Sequence, residues 1–374
     1  MAYTAIVYRI YPNEKQKELI EKTFGCTRFV YNQMLSIQEE RYKNGEKHLS
    51  YIDMNNYCNQ VLKKEYEWLK EVDKWSLSNA LNNLNSAYQR FFKKLGKHPN
   101  YKSKHRSQKS YTTNFSKGNI KVLENKIQLP KLGKVKAVIH RQPEAEWIIK
   151  SATLKQLSDN SYQVSVLFQY EKTITPLQIT EETTLGLDYK SNGLYMDSNG
   201  NSPQMEHYYR QSQDNLAKRQ RKLRHKKVGS NNYNKQIKKV NKIHRHITNQ
   251  RKDFLHKQST MIAKEYNCVC VEDLNMRAMS NKGFGNGKST LDNGYGMFIQ
   301  MLDYKLSNKG GKLVKVDRWF PSSQICNCCG VIHPEMKDIR NNEYLVCECG
   351  YKEQRDINAA RNIKFEGLRV LGVA

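Results

Sequence analysis

Thr184-Leu185-Gly186-Leu187-Asp188, at the head of TLGLDYKSNGLYMDSNG (184–200), decides how this chain is read. The uncharged run is too short for a helix and reads as a strand, and a carboxylate at a strand end is costly to desolvate without a partner. A metal ion is one such partner. The run from Gly193 to Met196 reads as a second strand closing on the turn Asp197-Ser198-Asn199-Gly200, whose Asn-Gly pair is a hairpin signal. Further along, Cys268-Val269-Cys270-Val271 repeats the arrangement and delivers Glu272 at its end. Strand side chains alternate faces, so Glu272 and Asp273 cannot both serve one site. A third acid opens the helix-favouring stretch from Arg355 to Ile363, where Asp356, Ala359, Ala360 and Ile363 share one face. Small alanines there let the helix approach a sheet closely. Taken singly, each acid also has an ordinary reading: a turn residue, an exposed strand end, a helix N-terminal charge favoured by the dipole.

Charge points in the same direction. Lys and Arg number 63 against 36 Asp and Glu, a formal net charge of +27. Such an excess repels itself in a compact fold, and a nucleic acid is the polyanion that relieves it. No run of eighteen apolar residues suits a membrane span, and MAYTAIVYRIYPNEK lacks the layout of a secretion signal. A cytoplasmic, nucleoid-associated location is expected. Cysteines crowd near the C-terminus, which in a reducing compartment suggests metal ligation and not disulfides.

Those cysteines form two knuckles, Cys326-Asn327-Cys328-Cys329-Gly330 and Cys347-Glu348-Cys349-Gly350, after a strand expected at Lys312 to Val316. Two thiolate pairs at this separation suit tetrahedral, structural zinc. Cys326 and Cys329 have the ordinary two-residue gap and pair with Cys347 and Cys349. Cys328 is a bystander that could substitute.

Upstream, Thr4 to Tyr11 reads as a strand stopped by Pro12, followed by a helix capped by Asn13 and interrupted at Gly25. A second helix is expected from about Trp68 to Phe92. Residues 93–120 are basic and polar with Tyr101 and Tyr111 interleaved, a composition offering stacking and phosphate contacts, or simply a solvated loop. Strands are expected at Lys121 to Leu129, Lys134 to His140 and Ser161 to Gln169, together making a small β-barrel module that ends near Thr175. Pro176 to Thr183 reads as a linker into an α/β layout. Within that layout Lys218 to Lys227 puts cations on every side of a helix. It is a solvated charged helix or a phosphate track using Arg219, Arg221, Lys222 and Arg224. Three converging carboxylates could hold two divalent ions about 3.5 to 4 Å apart, with oxygen ligands favouring magnesium or manganese.

The runs TFGCTRFVYN (23–32), GLDYKSNGLYMDSNG (186–200), NQRKDFLHKQST (249–260), VEDLN (271–275), LDNGYGMF (291–298), RWFPSSQICNCCG (318–330) and RDINAARNI (355–363) resemble those of the TnpB family of insertion-sequence nucleases. They occur in the family's order over essentially the whole chain. The resemblance implies RuvC-type catalytic acids at Asp188, Glu272 and Asp356. It also implies an α/β RNase H-like (RuvC) domain with zinc-ribbon-like knuckles, after a β-barrel wedge carrying a helical recognition insert. The expected boundaries are 1–175 for the wedge with its insert at about 13–120, 176–320 for the first part of the nuclease domain, 321–352 for the knuckles and 353–374 for the last helix. The implied activity is RNA-guided cleavage of double-stranded target DNA, with a transposon-end guide RNA and a short target-adjacent motif. The resemblance leaves the oligomeric state open, and a monomer bound to RNA is the expectation. Asn79 and the run Thr112, Thr113, Asn114 are candidates for contacting that motif, because amides and hydroxyls can bond base edges. The alternatives are an RNA-guided repressor and a guide-independent transposase. The chain departs from many relatives in three ways: Lys190 stands in place of Gly, Gln354 in place of an acid, and the second knuckle has a single intervening residue.

Overall fold

Residues 2–11 alternate, sending Ile6, Tyr8 and Ile10 into a core while Tyr3, Val7 and Tyr11 stay exposed. This strand, β1 (Ala2–Tyr11), begins a computed structural model that describes residues 1–281, 287–338 and 342–373. The chain divides into two units, Met1–Thr173 and Ile174–Ala374.

In the first unit, a capping box between Asn13 and Gln16 starts α1 (Glu14–Lys43). The expected interruption at Gly25 is absent, and the helix runs through it with Phe24 and Cys26 buried on either side. Their packing outweighs the penalty of about 1 kcal/mol for an interior glycine. After α2 (Tyr51–Tyr57) and α3 (Lys63–Glu65) comes α4 (Lys74–Phe92). It starts later than expected, because the Asp73 side chain caps it at Ser76 and only a single 3-10 turn occupies Glu67–Lys70.

Six strands complete the unit: β2 (Ser110–Asn114), β3 (Lys121–Val122), β4 (Lys126–Leu129), β5 (Gly133–Val138), β6 (Ile148–Gln156) and β7 (Tyr162–Tyr170). They join β1 in an antiparallel sheet of order β2-β6-β7-β1-β5-β4-β3. Among the described residues its hydrogen bonding ends at β2 and β3. The expected strand at 121–129 is a hairpin, and β2 and β6 are strands the composition did not suggest. In β2, alternation buries Tyr111 and Thr113 although basic residues precede them.

The second unit is α/β. β8 (Thr184–Tyr189) and β9 (Tyr195–Asp197) form a hairpin, followed by α5 (Tyr208–Arg224), α6 (Asn231–Glu265) and β10 (Cys268–Glu272). Then come α7 (Met276–Met279), α8 (Gly287–Asn293), α9 (Tyr295–Lys309) and β11 (Lys312–Val316). A small hairpin of β12 (Tyr344–Val346) and β13 (Lys352–Gln354) leads into α10 (Arg355–Leu371). The sheet order is β11-β10-β8-β9, parallel except at β9. Leu185, Leu187, Val269 and Val271 share one core with Leu255 of α6 and Phe298 and Leu302 of α9. Cys268, Cys270 and Val314 pack with Ile363 of α10 in another.

Gly186 sets how near α10 can come. A Cβ there would lie 2.0 Å from the Ala360 carbonyl oxygen, and one on Gly367 would lie 2.2 Å from Cys270 Sγ. Gly186 therefore lets β8 touch the backbone of α10, and Gly367 lets α10 close over the Cys270 side chain of β10. Among the described residues no helix is long and apolar enough to cross a membrane.

Candidate active site and cysteine cluster

Parallel pairing aligns Val271 with Leu187 and Glu272 with Val316. Asp188 and Glu272 consequently follow paired residues at the C-terminal ends of adjacent strands, the edge where open α/β sheets bind ligands. The close contact between Gly186 and Ala360 brings in the first turn of α10, which carries Asp356. Burial, and then the negative charges of Glu272 and Asp356, hold the Asp188 carboxyl well above the usual carboxylate range, against the opposing pull of Arg355. Glu272 and Asp356 are thus near enough to act on Asp188. Glu272 is also pushed up by burial, and the Ser322 hydroxyl opposes that shift by donating to Oε1 at 2.6 Å. Lys190 Nζ lies 3.4 Å from Asp356 Oδ2. Asp273 belongs elsewhere, paired with Lys315 at 3.1 Å and Arg318 at 3.0 Å.

Burial and two neighbouring acids that raise the proton affinity of Asp188 leave its charged form in need of compensation. Either protons or hard cations can supply it, and an all-oxygen donor set fits magnesium or manganese.

Several residues at this site were not singled out from sequence. Tyr295 is fully buried, and its phenol is pushed up by burial and by the charges of Asp188 and Glu272. Its hydroxyl has no hydrogen-bond partner among the described residues. Asn293 Nδ2 donates to the carbonyls of Lys190 at 3.2 Å and Ser191 at 2.9 Å, which fixes the chain leaving Asp188. Arg251 pairs with the buried Asp292 at 3.0 Å. These residues, like Ser322, lie inside runs quoted for the family resemblance; a run names the neighbourhood but not which side chain is turned inward.

Cys326, Cys329, Cys347 and Cys349 come together, with every pair of sulfurs within 4.8 Å. Cys326 and Cys349 are 3.8 Å apart, and Cys329 and Cys347 3.5 Å. Zinc–sulfur bonds of about 2.3 Å in a tetrahedron require sulfurs about 3.8 Å apart, so the donor set fits zinc. Gly330 and Gly350 close the knuckles at φ of 78° and 88°, a region that favours glycine. Cys328 is exposed and outside the cluster.

The first knuckle is stapled to α10. Asn358 Nδ2 donates to the Ile325 carbonyl at 2.7 Å, and Asn358 Oδ1 accepts from the Asn327 backbone at 3.1 Å. One turn on, Asn362 Nδ2 donates to the carbonyls of Ser322 and Ile325, each at 2.7 Å. Asn362 therefore reaches Ser322, which holds Glu272, while Asn358 follows Asp356 by two residues.

The remaining candidates lie on separate features. Asn79 Nδ2 donates to the Trp75 carbonyl at 2.9 Å, the Thr112 carbonyl at 3.0 Å and Asn114 Oδ1 at 3.1 Å, so Asn79, Thr112 and Asn114 are neighbours. Thr112 Oγ1 meets Thr153 Oγ1 at 2.8 Å, and Thr113 is buried. Arg221, Lys222 and Arg224 are exposed on α5, and Arg219 is half-buried where its carbonyl accepts from Gln236 of α6.

Three family models match the chain: "Helix-turn-helix domain" over residues 1–47, "Probable transposase" over 166–282 and "Cas12f1-like, TNB domain" over 295–363. A "Putative RNA-guided DNA endonuclease" of Streptomyces pristinaespiralis is 32% identical over 365 residues, covering 97% of this chain and 89% of the relative. The "Putative RNA-guided DNA endonuclease InsQ" of Escherichia coli (strain K12) is 29% identical over 384 residues, covering 98% and 93%. The Cas12f1 chain of a cryo-EM Cas12f1-sgRNA-target DNA complex shares the fold, with a TM-score of 0.60 at 13% identity over 97% of this chain and 98% of that one. The chain belongs to the TnpB family.

Proposed function

We propose that the protein is an RNA-guided DNA endonuclease whose Asp188, Glu272 and Asp356 form a single RuvC-like hydrolytic site. The observation that carries this reading is that Asp188 and Glu272 lie at the ends of adjacent parallel strands while the helix bearing Asp356 packs on Gly186, with both other acids acting on Asp188. Names of full-length relatives support the guided, DNA-cutting part of it.

Asp188 and Glu272 would hold divalent metal from the sheet, and Asp356 from α10. When bound, a pair of such ions supplies water activation and charge neutralisation at the leaving oxygen. Ser322 orients the Glu272 carboxylate, Asn293 fixes the chain after Asp188, and Tyr295 presents a phenol beside both acids. The sulfurs of Cys326, Cys329, Cys347 and Cys349 would hold a structural zinc that braces α10. Arg219, Arg221, Lys222 and Arg224 would track the phosphates of a guide–target duplex, whose shape and not sequence the protein holds. In this reading the first unit is the wedge with its recognition helices, Asn79 and the Thr112–Asn114 strand lie near the adjacent-motif reader, and the working species is a cytoplasmic monomer with RNA.

One observation favours a second reading. The Lys190 ammonium against Asp356 could keep metal out and leave an RNA-guided repressor. Purifying the chain with its RNA, sequencing that RNA, and incubating the complex with magnesium and a matched plasmid decides between them. Guide-dependent linearisation is expected. Tight guide-dependent binding with the plasmid intact would establish the repressor, and absence of a discrete RNA would remove both.

A further inference from the structure

The C-terminal ends of α1 and α4 enclose a groove in the first unit with an open volume of about 680 Å³. Its lining is aromatic. Tyr42 comes from α1, His48 from the chain just after it, Tyr88, Phe91 and Phe92 from α4, and His98 from the chain beyond. The rings already stack on one another: Tyr88 and Phe92 lie 5.8 Å apart at an interplanar angle of 23°, and His48 meets Tyr88 edge-on at 4.6 Å. Tyr42 is 85% exposed and Phe92 61%. Large rings left in water at a groove mouth call for an occupant with a flat apolar face.

Charge says which kind. From residue 90 to residue 106 there is no acid, while Arg90, Lys93, Lys94, Lys97, Lys104 and Arg106 are all exposed. The two acids that line the groove are already engaged. Glu39 accepts from the Tyr101 hydroxyl at 2.7 Å, and Glu46 pairs with Arg41 at 2.6 Å. Lys43 lines the groove, and the exposed Lys93, Lys94 and Lys97 flank its Phe92 and His98 in the chain, so a polyanion meets cations at its edge. His48, whose buried Nε2 has no hydrogen-bond partner among the described residues, is part of that lining. Flat apolar faces joined to a phosphate chain describe nucleotides, and unpaired bases are taken by aromatic side chains in this way.

We infer that this groove is a binding site for an unpaired base of single-stranded RNA, with Tyr42 and Phe92 stacking the base and Lys43, Lys93, Lys94 and Lys97 holding flanking phosphates. The choice of RNA rests on the guided reading above. The guide has unpaired loops and ends before any target is opened, and RNA loops present splayed bases to Tyr, Phe and His.

The test uses the full chain and a short fluorescein-labelled oligoadenylate, as RNA and as DNA, with binding followed by anisotropy. Tyr42→Ala with Phe92→Ala should weaken RNA binding about five- to a hundred-fold, the loss that follows from removing a stacking platform. Phe92→Tyr should restore most of it. Both replaced side chains are exposed, and an unchanged melting curve confirms that the fold is kept. Unchanged RNA affinity overturns the inference, as does a loss confined to the DNA oligomer. A dimer by light scattering that the double variant converts to monomer, with RNA affinity intact, overturns it in favour of a second copy of the chain. Failure of the guided reading shows differently: the purified chain would carry no discrete RNA, whatever the oligomer does.

Discussion

Lys190 Nζ stands 3.4 Å from Asp356 Oδ2, so a tethered cation sits at one of the three acids proposed to hold metal. A resident ammonium competes with any ion that the same carboxylate must ligate.

Lys190→Gly should therefore tighten manganese binding measured by calorimetry and lower the metal concentration needed for half-maximal cleavage. Both side chains are about a third exposed, at 31% and 30%, so the lost pair itself costs about 1 kcal/mol of stability or less. Unchanged manganese affinity would show that the lysine leaves the acid when metal arrives.

Ser322 is a positioning residue. Removing its hydroxyl from Glu272 in Ser322→Ala deletes a hydrogen bond to a charged acceptor, and the expected loss is about ten- to a hundred-fold in cleavage rate. Guide RNA affinity should not move, and a parallel loss of RNA binding would point to a folding defect instead.

Chelation of the cysteine cluster should release about one zinc ion per chain. Cleavage should fall with it, because Asn358 and Asn362 carry the knuckle's position to α10 and to Ser322. Cys329→Ser should behave like the chelated protein, while Cys328→Ser, outside the cluster, should keep both zinc and activity. Retained cleavage after complete zinc loss would separate the two sites.

Arg221→Gln combined with Arg224→Gln tests the basic helix. The slope of log affinity against log salt should shrink by about one for each arginine that neutralises a phosphate. A slope that does not change removes α5 from the nucleic acid path.

How far the sequence could be read depended on whether a feature is local. Asp188 and Glu272 end short apolar runs, and run length with flanking turns is enough to place a strand end. Asp356 shares a helical face with two alanines, which suggests close approach, but that the approach happens at Gly186 depends on a tertiary contact that no spacing encodes. The strand β2 was obscured because lysines and serines around it have no alternation, whereas its own Tyr111 and Thr113 do. Gly25 suggested a break that burial of Phe24 and Cys26 overrides. Tyr295 and Ser322 were hidden for the opposite reason. Nothing in a helix start or a Ser-Ser pair indicates that a hydroxyl lies beside a carboxylate far away in the chain.

The most direct measurement is plasmid cleavage by the purified RNA complex carrying Asp188→Asn, which keeps the side-chain shape and removes the charge. The account predicts that guide-dependent DNA binding persists while both strands stay uncut in magnesium. Cutting at the wild-type rate by that variant would contradict it.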